Sequence, residues 1–553
     1  MFRFISLRIV IAIAVLSAGP AGAAPEFSAE DYRADIQFLR ENLKQRHVAP
    51  FDNLSEAEFD TELDALAARA GDITFNEFIV ALARIGAGLK EGHTGHMPAF
   101  DGQLDLPILP VELFPVSDGM ALIAAHPDYE VILGAEVMEI GGVAMEEIAA
   151  AMAPLYSRDT DAALPKGVAA LARAPALLEG AGVVDSAQDA HVITIRKNGR
   201  RTRVQLQPMS KFETMGRVAD TRFVVAGGDP APRWLRDRNN PWLRDRLDNG
   251  RAMYFQFNSA DTGRDDERNA EDFRNFIDEM VTEIENDPSI ERMIVDMRWN
   301  AGGSYNNTKQ VLPALIATGR FGERGDLYIL TSPMTFSAAS LHTEAFENWM
   351  APIIVGMAGA GRPAHFAELG RFRLPRTQLE FRFSIAATTD SREHRPAFAP
   401  HLAVWPSAAD IRAGRDPVLD AAIQYDPETD DLRAVLKGAL REGGAAALRE
   451  TYLDIKSNEA GRYIFEEAIL SDIGEDLFLN DKNYEQALAV FQLNAEHYPW
   501  SPEVYNNLAH AYRALEEKQA AIENFEKAMA IDVRYGYALP MVRTMREEIA
   551  EGD

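Results

Sequence analysis

The 553-residue chain contains no cysteine. Disulfides, thiolate metal sites and a cysteine nucleophile are thereby excluded, so the folded units rely on their cores. Cations are also scarce, with 56 Lys and Arg against 85 Asp and Glu, a formal net charge of −29. Nucleic acid and anionic membrane surfaces are poor partners for such a chain, because phosphate is bound by clustered Lys and Arg. The apolar run Ile9 to Leu16 is far short of a membrane span, and no cysteine follows it to accept a lipid. It follows Arg3 and Arg8 and precedes Ala21-Gly22-Ala23 and Ala24. This pattern predicts a secretory signal peptide cleaved after Ala23, and hence an exported chain, periplasmic or secreted, without a membrane anchor.

What is present reads as three or four folding units. Behind the signal peptide (1–23), residues 24–99 are helical in pattern, and FSAEDYRADIQFLRENL has the form of a capped first helix. Residues 100–212 alternate short β-rich runs with Gly and Asp turns. KNGR signals a hairpin, LGAEVMEIGGVAMEEIAAAM a strand, tight turn and helix, and residues 161–182 a helical insertion. Over 213–425, β-rich runs such as MYFQF, RMIVDMR, DLYIL and PIIVG alternate with helical ones, which is α/β layering. Residues 426–553 are helical and contain a repeat: Ala487, Leu488 and Phe491 correspond to Ala521, Ile522 and Phe525 at an offset of 34. That period resembles the tetratricopeptide repeat, an array that binds protein partners or self-associates and is not expected to be catalytic.

Three stretches carry groups suited to chemistry. TFSAAS follows the apolar run YILTS and opens a helical pattern, so Ser337 lies where a strand passes into a helix N-terminus. A hydroxyl there is either a helix cap, the role Thr335 or Ser337 would fill, or a nucleophile beside unpaired backbone N–H groups. VDMRWNAGGSYNN ends a buried strand in a glycine-rich turn, where the amides of Gly302 and Gly303, with that of Ala338, are suited to an oxyanion. In LKEGHTGHMP, His93 follows a helix and is the best candidate by context for the base a serine needs. His93 and His96 have no third ligand at sensible spacing, so neither a metal nor a cofactor is called for.

In this order, GLKEGHTGH, IVDMRWNAGG, TSPMTFSAAS and IIVGMAGAGRP resemble the serine peptidases that include the C-terminal processing peptidases and the tricorn core, over roughly residues 27 to 425. The resemblance implies a crotonase-like α/β catalytic domain preceded by a helical segment and a PDZ-like domain in 100–212. It places the nucleophile at Ser337 and the oxyanion hole at Ala338 and the Gly302-Gly303 turn. Where processing peptidases carry a Gly-Lys pair whose lysine is the base, this chain has Gly361-Arg362. Guanidinium stays protonated and cannot accept the serine proton, which shifts the expectation to a tricorn-like Ser/His pair with His93. The resemblance also implies an acidic residue ahead of a Pro-Asp-like element, here Pro400-His401, making Glu393 the candidate, and leaves Arg362 to bind a substrate carboxylate. The expected function is hydrolysis of peptide bonds in a peptide or protein substrate. A catalytically inactive peptide-binding scaffold and an esterase on the same layout are the alternatives.

Overall fold

The computed structural model describes residues 26–98, 101, 104–211, 223–228, 230–261, 267–363, 366–387 and 395–552. The predicted signal peptide and Glu393 lie outside the described residues. Among those described, no helix is long and apolar enough to cross a membrane.

The architecture is mixed α/β with an all-helical C-terminal region. Its central layer is a six-stranded sheet in sequence order: Trp242–Leu247, Ala252–Phe257, Arg292–Asp296, Leu327–Thr331, Ile353–Gly356 and Leu402–Ala403. The first pair is antiparallel and every later pair parallel. Parallel strands covered on both faces read as continuous apolar runs, and alternate residues divide between two cores. Phe255, Val295 and Ile329 pack against the Glu267–Asn286 and Ala338–Trp349 helices, through Phe273, Ile277 and Phe346. Tyr254, Ile294, Tyr328 and Val355 face the opposite side, onto Val418, Leu419 and Ala422 of the Pro417–Gln424 helix.

A second, seven-stranded sheet contains Val111–Val116, Gly119–Ala125, Glu136–Ile140, Val192–Lys197 and Arg200–Gln205. The KNGR turn joins the last two, with Asn198 and Gly199 at φ 52° and 74°, the geometry a tight hairpin requires. The helical insertion forms Leu164–Leu171 and Pro175–Gly180. This sheet shares one core with the N-terminal helices Ala29–Arg46, Glu56–Arg69 and Phe75–Gly88, each opened by a capping box. A hairpin from much later in the chain, Phe366–Arg373 with Glu380–Ala387, enters the same core through Phe372, Phe381 and Phe383.

The C-terminal helices stack as a solenoid. Leu432–Asn458, bent at Gly443 and Gly444, and Glu467–Glu475 build a core with Ala487, Phe491 and Leu508. Ala521 and Phe525 sit in the next core along. The array docks on the edge of the six-stranded sheet, where the Ala403 N–H donates to the Ala460 carbonyl at 3.0 Å and the Phe465 N–H to the His401 carbonyl at 3.1 Å.

One buried ion cluster fixes the end of the central strand. Arg298 reaches both carboxylate oxygens of Asp416 at 2.7 and 2.8 Å and those of Asp296 at 2.7 to 3.2 Å. Tyr254 donates its hydroxyl to Asp296 at 2.7 Å. Removing the cation strands two carboxylates in the interior, so Arg298→Ala is expected to destabilise this layer by about 3–5 kcal/mol, read as a lowered midpoint in thermal denaturation.

Candidate active site

The loops after Arg292–Asp296 and Leu327–Thr331 leave the same edge of the sheet side by side, because their strands are parallel neighbours. They are laced together. Ser332 donates its hydroxyl to the Arg298 carbonyl at 2.6 Å, Thr335 its hydroxyl to the Met297 carbonyl at 2.9 Å, and Phe336 its N–H to the Asn300 carbonyl at 3.0 Å. Thr335 is thus a tie between loops, not a cap.

Ser337 occupies the N-cap position of Ala338–Trp349 but makes no side-chain capping bond. Its backbone lies at φ 54°, ψ −122°, a strained region costing a non-glycine residue on the order of 1–3 kcal/mol. This turn carries the hydroxyl away from its own helix. Ser337 Oγ lies 3.0 Å from Nε2 of His93, a residue 244 positions earlier in the chain.

His93 is held by several elements. Its ring stacks on Phe336 at 4.6 Å between centroids. The loop is clamped to the late hairpin by paired backbone bonds between Gly95 and Arg382 of 3.0 and 3.1 Å. Gly92 donates its N–H to Asp159 Oδ1 at 2.7 Å, and a Cβ at Gly92 would meet the Phe336 ring at 2.8 Å, so only glycine admits this approach.

The acidic partner beside His93 is Glu91. Its Oε1 lies 3.5 Å from His93 Nδ1 and accepts the His93 N–H at 2.7 Å. Its other oxygen lies 3.6 Å from Nε2 of His47. Burial would raise this carboxyl, but hydrogen bonding from His47, His93 and Thr94 overrides it and holds the group well below the ordinary carboxylate range. Sequence reasoning named Glu393, which lies outside the described residues, and did not single out Glu91, the carboxylate that lies beside the ring. The signal available was an acid two residues before the histidine in EGH.

The predicted amides divide. The Gly302 N–H donates to Asn300 Oδ1 at 3.0 Å, which removes it from the predicted set of oxyanion donors. Gly302 contributes space instead, since a Cβ there would meet Ser337 Cβ at 2.7 Å and Ala338 N at 3.0 Å. The N–H groups of Gly303 and Ala338 donate to no protein group among the described residues. Gly303, at φ 137°, packs against Ala260 and Asp261. Arg362 lies away from the hydroxyl, in the wall of a cavity it shares with Asp159. His96 donates its Nδ1–H to the Glu380 carbonyl at 2.8 Å and is buried. His401 accepts the Ile354 N–H at 2.9 Å, so the predicted Pro-Asp-like element serves the sheet edge.

Comparison with known proteins finds the tetratricopeptide repeat family over residues 470–532. No curated protein matches the chain. Among solved structures, mature CPAF complexed with lactacystin is similar over 70% of this chain and 96% of its own, at 12% identity and a TM-score of 0.48. The photosystem II D1 C-terminal processing protease matches over 69% and 98%, at 11% identity and a TM-score of 0.32. The tricorn protease matches over 71% of this chain and 36% of its own, at 12% identity and a TM-score of 0.33.

Asp159 adds a pH signature. Burial, the largest influence, pushes its carboxyl up to about 6 from 3.8, and its Oδ2 accepts no hydrogen bond among the described residues. An acid bound more tightly to its proton in the folded state stabilises the fold fully below 3.8, and that contribution is lost as pH rises through about 6. The thermal midpoint of Asp159→Asn, measured against wild type between about pH 4 and pH 7, is expected to gain on wild type as pH rises.

Proposed function

We propose that the protein is a serine peptidase in which Ser337 is the nucleophile and His93 its general base. The observation that carries this reading is the 3.0 Å approach of Ser337 Oγ to His93 Nε2 at a strained, uncapped helix N-terminus. Glu91 Oε1, 3.5 Å from Nδ1, favours the tautomer protonated there, in which Nε2 takes the hydroxyl proton as Ser337 attacks a peptide carbonyl. The imidazolium formed sits beside a carboxylate held ionised, which stabilises it. The tetrahedral oxyanion is received by the N–H groups of Ala338 and Gly303. His93 then returns its proton to the leaving amine, and water, deprotonated by the same ring, hydrolyses the acyl-enzyme.

The peptide class of substrate follows from the resemblance of the ordered motifs. On this reading the six-stranded layer is the crotonase-like catalytic unit, the sheet of residues 100–212 a PDZ-like accessory, and the enzyme acts after export. The tetratricopeptide repeats, docked on the far strand of the sheet, serve to bind a protein partner. Arg362, fixed in its protonated form, takes no part in proton transfer.

A fluorophosphonate probe is expected to label the wild-type protein, and Ser337→Ala to abolish both labelling and peptide cleavage. Absence of labelling and of cleavage in the wild type would overturn the reading in favour of a binding scaffold. Glu91→Gln keeps the side-chain shape but removes the charge facing His93. It is expected to lower kcat on the order of 10²- to 10⁴-fold, measured on any peptide the wild type cleaves.

A further inference from the structure

A cavity of about 1180 Å³ opens beside the His93 loop, and among the described residues its wall carries five cationic and two acidic side chains. This inverts the balance of a chain whose net charge is −29. Two of the cations are neutralised within the wall or behind it. Arg158 donates to Asp161 at 2.9 Å, and Arg395 holds both oxygens of Glu347 at 3.1 and 2.7 Å. Among the described residues of the wall, Arg84 and Lys90 then stand with the carboxyl of Asp159, and Lys90 also acts electrostatically on Glu58.

Arg84 and Lys90 decide the character of the cleft. Both are exposed, and neither forms an ion pair with another described residue. They stand at the end of the Phe75–Gly88 helix, which also delivers the His93 loop. Neither Ser337 nor His93 lines the cavity. It reaches them through Asp159, whose carboxylate accepts the Gly92 N–H, and through Lys90, three residues before His93. An extended peptide advances about 3.3 Å per residue, so a substrate segment a few residues from a carbonyl at Ser337 is within chain reach of this space.

We propose that the cleft is a subsite for an acidic segment of the substrate, taking Asp or Glu side chains that flank the scissile bond, with Arg84 and Lys90 as specificity-determining charges. The proposal rests on the peptidase reading for its orientation to the scissile bond, but the binding it asserts is separately measurable. Long-range repulsion from the acidic protein is screened beyond about 8–10 Å in physiological salt, so the local cations govern recognition at the cleft. Acidic peptides are therefore selected by a short-range match.

The test uses full-length Ser337→Ala protein and two fluorescein-labelled peptides, one of three Asp-Ala-Glu-Ala repeats and one of three Asn-Ala-Gln-Ala repeats. Anisotropy is expected to give the acidic peptide a Kd about 3- to 10-fold lower, two exposed cations each contributing a modest charge interaction. Adding Arg84→Gln and Lys90→Gln is expected to erase that advantage, and the Glu pair at these positions to reverse it. Circular dichroism melting checks that these exposed substitutions leave the fold intact. Equal or tighter binding of the neutral peptide, or an acidic preference that survives both pairs of substitutions, would overturn the proposal. Failure of the peptidase reading is seen elsewhere, as a wild type that neither labels nor cleaves. If both readings hold, wild-type cleavage of acidic over neutral peptides shows the same ratio in kcat/KM.

Discussion

Three hydrogen bonds tie the loop after Arg292–Asp296 to the loop after Leu327–Thr331, and the rest of the site is built on that lacing. Ser332, Thr335 and Phe336 donate across to the carbonyls of Arg298, Met297 and Asn300 respectively. A residue with the backbone of Ser337 would relax if its surroundings allowed it. It cannot, because Thr335 and Phe336 are anchored before it and the Ala338–Trp349 helix packs into the core after it. The Arg298 ion cluster lies behind the lacing, so the charges buried at the strand end support the geometry at its tip.

The histidine comes from a different core, and a short chain of hydrogen bonds joins its loop to that of the serine. Asp159 holds Gly92, while its neighbour Thr160 donates its hydroxyl to the Ala360 carbonyl at 3.1 Å. Ala360 in turn donates its N–H to the Thr335 carbonyl at 2.8 Å. The residues just before the helical insertion thus link the loop of His93 to the loop of Ser337. The late hairpin closes the other side, since Thr94 accepts the Ser384 N–H and approaches His47 Nε2 at 2.9 Å. Preorganisation of this kind places reacting groups without the entropic cost of gathering them at each turnover.

Much of this was legible in one dimension. The strands of the central layer are continuous apolar runs, and alternation at Phe255/Tyr254 and Val295/Ile294 puts neighbours on opposite faces in any such sheet. Capping boxes, the KNGR turn and the 34-residue repeat are local or periodic signals. The junctions at Ser337 and at Gly302-Gly303 were legible because strand-to-helix turns are written in adjacent residues. The nearness of Glu91 to the His93 ring was not legible because it depends on a loop folding back on itself. Gly302 was misjudged as a donor because the side chain that claims its N–H, Asn300, is only two residues away but reaches it through the turn.

Sequence alone determined the elements, the chemical inventory and the exclusion of thiol chemistry, since these follow from residue type and short-range periodicity. Tertiary structure alone decided which histidine nitrogen faces the serine hydroxyl, which carboxylate stands behind the ring, and which backbone amides remain unclaimed. It also decided that a hairpin from residues 366–387 completes the N-terminal core, and that scattered cations in an acidic chain gather in one cleft. Those outcomes depend on distances of a few ångströms between groups up to hundreds of residues apart, and no local pattern encodes such distances.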